Sequence, residues 1–204
     1  MGRPAKATDS DVLDATYALA WRRGCDDITI RDLEIALDLR APSIYRRFHS
    51  RDELLAAAID RYVECVVEHR VHRYLEGAGD PLRGIRRFFL TATDAPVDPA
   101  QVDQPAPRGC LLATTSQQAS YSIPAIREAV DRGVARVEEA LGAALDRAHA
   151  AGHEFAAPHR ELARALLQGF LGVLMLARCG YGNLEPSVSV MLDALLGPTP
   201  RTEG

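Results

Sequence analysis

Apolar residues recur every three or four positions along most of the chain, and no stretch alternates with the two-residue period of a strand. The pattern predicts an all-α protein. Leu13, Tyr17, Ala20 and Trp21 mark one face of a first helix from about Ser10 to Arg23, which Gly24 stops. Thr29 is placed to cap a second helix, with Asp32 at capping-box spacing, and that helix buries Ile30, Leu33 and Ala36. The pattern breaks at Leu37-Asp38-Leu39, where a tight turn calls for positive φ; Gly suits it best and Asp tolerates it. A third short helix opens near Pro42, whose missing N–H is harmless in a first turn. Ser50 and Glu53 then read S-x-x-E and start a long helix to about Leu75.

Gly77, Gly79 and Pro81 interrupt the chain, and Asp80-Pro81 supplies an N-cap and first turn for a helix to about Thr93. Asp94 to Arg108, with Pro96, Pro99, Pro105 and Pro107, reads as a long connection. Cys110 to Ser120 is a candidate short helix. Ile126, Val130, Val134, Val137, Leu141, Leu145 and Ala148 give a strong amphipathic helix stopped by Gly152. The segment from Pro158 to Arg178 differs, being apolar nearly all round from Ala165 to Ala177, with Gly169 and Gly172 permitting close approach. Such a helix must be covered on every side, and in so small a protein the simplest cover is a second copy. A last helix, Ser187 to Leu196, carries Val188, Met191, Leu192 and Leu195.

Composition adds limits. The chain has 204 residues, 47% of them hydrophobic, which suits one larger domain or a small and a medium one. A net charge of -4 excludes a polycation, but the charge is uneven. From Arg40 to Arg51 stand four arginines, one histidine and no acid. A short cationic helix held against another is suited to a DNA major groove. Tyr17, Trp21 and Phe48 are expected in the core of this small N-terminal unit. The four cysteines are far apart, without a C-x-x-C pair, so neither a zinc site nor a disulfide framework is expected, and a reduced cytoplasmic setting is. The start has no apolar signal region, and the apolar run Ala165 to Ala177 is shorter than the ~20 residues of a membrane span. No acidic cluster has metal-ligand spacing, and Cys110 with a distant histidine such as His69 lacks any nucleophile signature. No catalytic residue, metal or cofactor is therefore expected.

Gly2-Arg3-Pro4, Gly24, Thr29, Asp32-Leu33, the turn Leu37-Asp38-Leu39, Pro42-Ser43-Ile44-Tyr45, Phe48, Ser50, Arg51 and Leu54 together resemble the TetR family of bacterial transcriptional regulators. Gly109-Cys110-Leu111 and the amphipathic helix after it resemble C-terminal halves of that family. The resemblance implies about nine helices, with a helix-turn-helix DNA-binding domain over residues 1–49 and a helical effector-binding and dimerisation domain over 50–204. It implies that Thr29, Tyr45, Arg47 and Arg51 hold phosphates, while Arg40, Ala41, Pro42, Ser43 and Arg46 lie where bases are read. Arg3 and Lys6 are either a groove-reaching arm or a free one. For a small, partly apolar effector the candidate lining is Cys65, His69, Phe88, Phe89, Thr114, Gln117, Gln118, Tyr121 and Gln168. For a homodimer interface the candidates are Leu166, Phe170, Leu174, Val188, Met191 and Leu195. The function implied is a repressor released from a pseudo-palindromic double-stranded operator by that effector. The alternatives are a DNA-binding dimer with no effector or under a protein partner's control, and, further off, an enzyme. The chain departs from the family pattern at Asp38, usually Gly; at Arg40, usually a small Ser or Thr cap; and at Glu34, often Ala.

Overall fold

The computed structural model describes residues 7–92 and 109–198, so the Arg3 and Lys6 arm and the whole Asp94 to Arg108 connection lie outside the described residues. Nine helices and no strand occur among the described residues: α1 (Asp9–Arg23), α2 (Ile30–Leu37), α3 (Ala41–Phe48), α4 (residues 51–75), α5 (Pro81–Leu90), α6 (Leu111–Thr115), α7 (Pro124–Ala150), α8 (His159–Arg178) and α9 (Glu185–Leu196). Most boundaries follow the capping residues. Thr8 caps α1 and forms a reciprocal box with Asp11. Ser50 accepts from Glu53 N at the start of α4, and Asp80 accepts from Leu82 N and Arg83 N at the start of α5. The expected helix over Cys110 to Ser120 is shorter, ending at Thr115, and a 3-10 turn follows at Ala119–Ser122. Within α4 the segments Val63–Val67 and Val71–Leu75 are π-helical.

The chain divides into two compact units. Among the described residues the first holds 7–66 and 111–133, so it takes in α6 and the beginning of α7 as well as the three N-terminal helices. Its core is Val12, Tyr17, Trp21, Ile28, Leu33, Ile44, Leu54, Leu55, Ile59 and Tyr62, all essentially without exposure. The Trp21 and Tyr62 rings meet edge to face with centroids 4.9 Å apart. Phe48 is only half-buried.

The second unit holds 67–92, 109–110 and 134–198. Its centre is aromatic: Phe170 on α8 stacks on Phe88 at 4.4 Å and meets Phe89 edge-on at 5.3 Å. One glycine sets the spacing of helices here, and another leaves room for a side chain of α9. A Cβ on Gly84 would strike the Tyr74 carbonyl oxygen, so α5 lies against the end of α4 at a distance only glycine permits. On α8, a Cβ at Gly169 would sit 2.5 Å from Met191 Sδ of α9. Gly172, expected to serve the same purpose, has nothing within 4 Å.

Four of the six residues expected at a subunit interface are enclosed within the single chain. Leu166, Phe170, Leu174 and Val188 are 0%, 6%, 5% and 4% exposed in the single chain. Met191 and Leu195 are half-buried. The outward apolar residues are Met175 and Leu176 on α8, 45% and 42% exposed, and Val190 on α9, 71% exposed. The all-round apolar character of α8 thus has two causes: one side faces the aromatic core and the other faces out.

Candidate nucleic-acid interface

The turn between α2 and α3 is built by Asp38, the C-cap of α2, at φ 49°, ψ 41°. This is the left-handed region, where aspartate is among the few tolerated side chains. Leu33 of α2 and Ile44 of α3 are fully buried and fix the pair against α1 and α4. The opposite face of α3 is left to solvent: Pro42, Tyr45 and Arg46 are exposed on the helix, and Arg40 is exposed at its N-cap. Ala41 and Ser43 are half-buried. Neither the Arg40 nor the Arg46 guanidinium has an ion pair or hydrogen bond among the described residues. An unneutralised cation beside a short exposed helix is arranged for an anionic or acceptor-rich partner, and a major groove offers both.

The other two arginines of the cluster are occupied. Arg47 donates to the Ala7 carbonyl at 2.9 Å and lies 3.4 Å from the Asp9 carboxylate, with 19% of its side chain exposed. Arg51 donates from Nε to Ile28 O at 2.7 Å, from Nη2 to Cys25 O at 2.5 Å and from Nη1 to Asp52 at 2.9 Å. Three of its five N–H groups are therefore spent within the protein. Its first work is to hold the α1–α2 loop to the start of α4. Thr29 is similarly engaged, its hydroxyl donating to Asp32 Oδ2 at 2.5 Å and accepting from Asp32 N at 3.2 Å. To hold a phosphate, Thr29 would have to redirect its single hydroxyl proton.

This box has a pH signature. The Thr29 hydroxyl and N–H, helped by Arg23, lower the Asp32 carboxyl from 3.8 to about 2. The folded-state value is depressed, so the contribution is complete above the ordinary value and lost as pH falls through the folded one. Wild type should therefore melt above Asp32→Asn at pH 5, and the gap should close between 3.8 and about 2. Melts followed by far-UV circular dichroism check this; a gap unchanged at the acid end contradicts it.

The polar run expected around an effector is used differently. Gln118 Oε1 accepts from Cys25 N at 2.8 Å, and the Cys25 thiol lies 3.4 Å from the Thr115 hydroxyl. Asp26 accepts from Ala119 N at 2.9 Å and Ser120 N at 2.8 Å. Desolvation pushes the Asp26 carboxyl up, but the bonds from Ser120 and Ala119 and the charge of Arg51 outweigh it and hold it below the usual range. The loop between α1 and α2 is therefore braced on one side by residues 115–120 and on the other by Arg51. Gln117 turns back to the Ala113 carbonyl, and Tyr121 donates to Asp131 at 2.6 Å. Gln118 and Tyr121 thus make hydrogen bonds that serve the first unit's own fold. Thr114 and Cys65 also fall in this unit, half-buried. In the second unit Phe88 and Phe89 are fully buried, while His69 and Gln168 are exposed.

Comparison with known proteins agrees with this geometry. Residues 12–58 match the bacterial regulatory proteins of the tetR family, and residues 85–183 match the tetracyclin repressor-like C-terminal domain. The chain belongs to the TetR family. It is a DNA-binding transcriptional regulator rather than an enzyme. A 64-residue stretch is 36% identical to the HTH-type transcriptional repressor ComR of Escherichia coli, covering 31% of this chain and 30% of ComR. Cysteine-substituted CifR, a TetR family regulator complexed with a 26-bp double-strand operator, superposes with a TM-score of 0.80 at 22% identity, covering 94% of this chain and 99% of CifR. The reduced form of Escherichia coli NemR gives 0.75 at 21% identity, covering 92% and 95%. No helix among the described residues is long and apolar enough to cross a membrane.

Proposed function

We propose that this TetR family regulator is a homodimeric repressor. Two α3 helices hold a pseudo-palindromic operator, and a small, partly apolar effector releases it. The observation that carries the reading is the unpaired, exposed Arg40 and Arg46 flanking the solvent face of α3. Two identical helices related by a two-fold axis read a site whose halves mirror each other. The outward apolar residues Met175, Leu176 and Val190 support the dimer, since monomers seldom leave such side chains unmatched on adjacent helices. The second unit packs Phe88, Phe89 and Phe170 together at its centre, so an apolar effector entering there must open space among these rings. That effector shifts the DNA-bound population only by its differential affinity for bound and free conformations.

The test is a gel shift on the DNA upstream of the protein's own gene, with and without metabolite extract. Specific binding that the extract releases supports the repressor. Binding that no metabolite releases favours regulation without an effector. In the same assay Arg46→Ala should weaken binding by ~1–3 kcal/mol, and binding should fall steeply with salt. An Arg46→Ala protein that binds as wild type removes α3 from the interface.

A further inference from the structure

The two departures at Glu34 and Arg40 are one exchange. A helix begins with backbone N–H groups that its own turns do not satisfy, and a Ser or Thr at the N-cap normally accepts one. In α3 that work is done without the side chain at position 40, which makes no capping bond. Glu34, on α2, reaches across the turn and accepts from Ala41 N at 2.6 Å. Pro42 has no N–H. Ser43 N and Ile44 N go to the Arg40 carbonyl at 2.8 and 3.3 Å. Every donor in the first turn is accounted for, and the guanidinium of Arg40 is left over. No ion pair joins it to Glu34 among the described residues, because that carboxylate faces the backbone instead.

We propose that Arg40 is a base-reading residue of this regulator, directed at a guanine in each half-site, and that Glu34 is its positioning residue. The inference rests on the assignment of α3 to the major groove. Arginine donates two parallel bonds to guanine O6 and N7, a geometry that a capping serine cannot make. Glu34 fixes the N-terminal turn from which Arg40 projects, and its negative charge sits favourably at the positive end of α3. A carboxylate from the neighbouring helix thus frees the N-cap position to carry a long cation.

The experiment is in vitro selection of randomised duplex DNA by purified full-length wild type, Arg40→Ala, Glu34→Ala and Glu34→Gln proteins, with thermal melts of each. Arg40→Ala should melt with wild type yet lose the preference for one guanine per half-site, weakening the wild-type-selected duplex by about 5- to 150-fold. Glu34→Gln keeps an acceptor and should keep that preference. Glu34→Ala should melt lower and discriminate less at that same position, and there Arg40→Ala should cost less than in wild type. Should Glu34→Ala be unfolded at the assay temperature, Glu34→Asp, whose shorter side chain withdraws the acceptor, takes its place. An Arg40→Ala protein that enriches the same bases at every position overturns the inference alone. So does a folded Glu34 variant, lacking the acceptor, with wild-type discrimination there. A wild type that enriches no duplex overturns the DNA-binding assignment as well.

Discussion

Phe170→Ala should lower the free energy of unfolding by about 3–5 kcal/mol, the range for deleting a large aromatic side chain from a packed core. Phe170 is 6% exposed and its ring is held between those of Phe88 and Phe89. Removing it loses the transfer free energy of the ring and opens a void that its neighbours on α5 cannot fill. Gly84 already holds α5 against the end of α4, so that helix has little room to slide inward. Urea titration of the variant should show a midpoint well below wild type. A midpoint shift worth less than about 1 kcal/mol would mean that the aromatic centre collapses around the gap.

Leu176→Glu should do the reverse, leaving each chain folded while separating the proposed homodimer into monomers. Leu176 is 42% exposed, so the charge remains hydrated in a single chain. Against a partner's apolar surface it must be desolvated without a counter-charge, which is expensive. Light scattering should report one chain's mass. Operator affinity should fall by roughly 10²–10⁴, because a monomer loses the effective concentration that delivers its second helix. A variant that stays dimeric would place the two-fold axis on another face. The pair of variants separates two properties that look alike in the primary structure, since Phe170 and Leu176 both lie on one apolar helix. Leu174→Arg would confound them, since Leu174 is 5% exposed and its replacement buries a charge in the unit's own core.

Local chemistry made most of the fold readable. Capping residues and periodicity located the helices because both act over three or four residues, the range within which a chain's neighbours are known. Asp38 was readable as a left-handed turn for the same reason. What distance hides is partnership. The arginines at 40, 46, 47 and 51 are chemically identical in the sequence, yet two are exposed and unpaired while two are tied to Ala7, Cys25 and Ile28. Those partners lie up to 40 residues away. Glu34 reads in the sequence only as a departure on α2, because its effect falls on the following helix. The π-helical turns of α4 left no mark in the sequence, since Ile59, Tyr62, Val66, Val67, Val71 and Leu75 keep the three- and four-residue spacings of an ordinary helix. For α8, an all-round apolar surface says that cover is needed but not which side is already covered.

The brace on the α1–α2 loop bears on how such regulators are recombined. A hybrid made by grafting the first fifty or so residues onto a foreign C-terminal half would carry Cys25 and Asp26 without Gln118, Ala119 and Ser120. Its loop would have to find water for an amide and a carboxylate that are satisfied here by the chain itself. The transferable cassette is discontinuous, residues 7–66 together with 111–133, and an exchange that respects it should keep the source protein's operator preference.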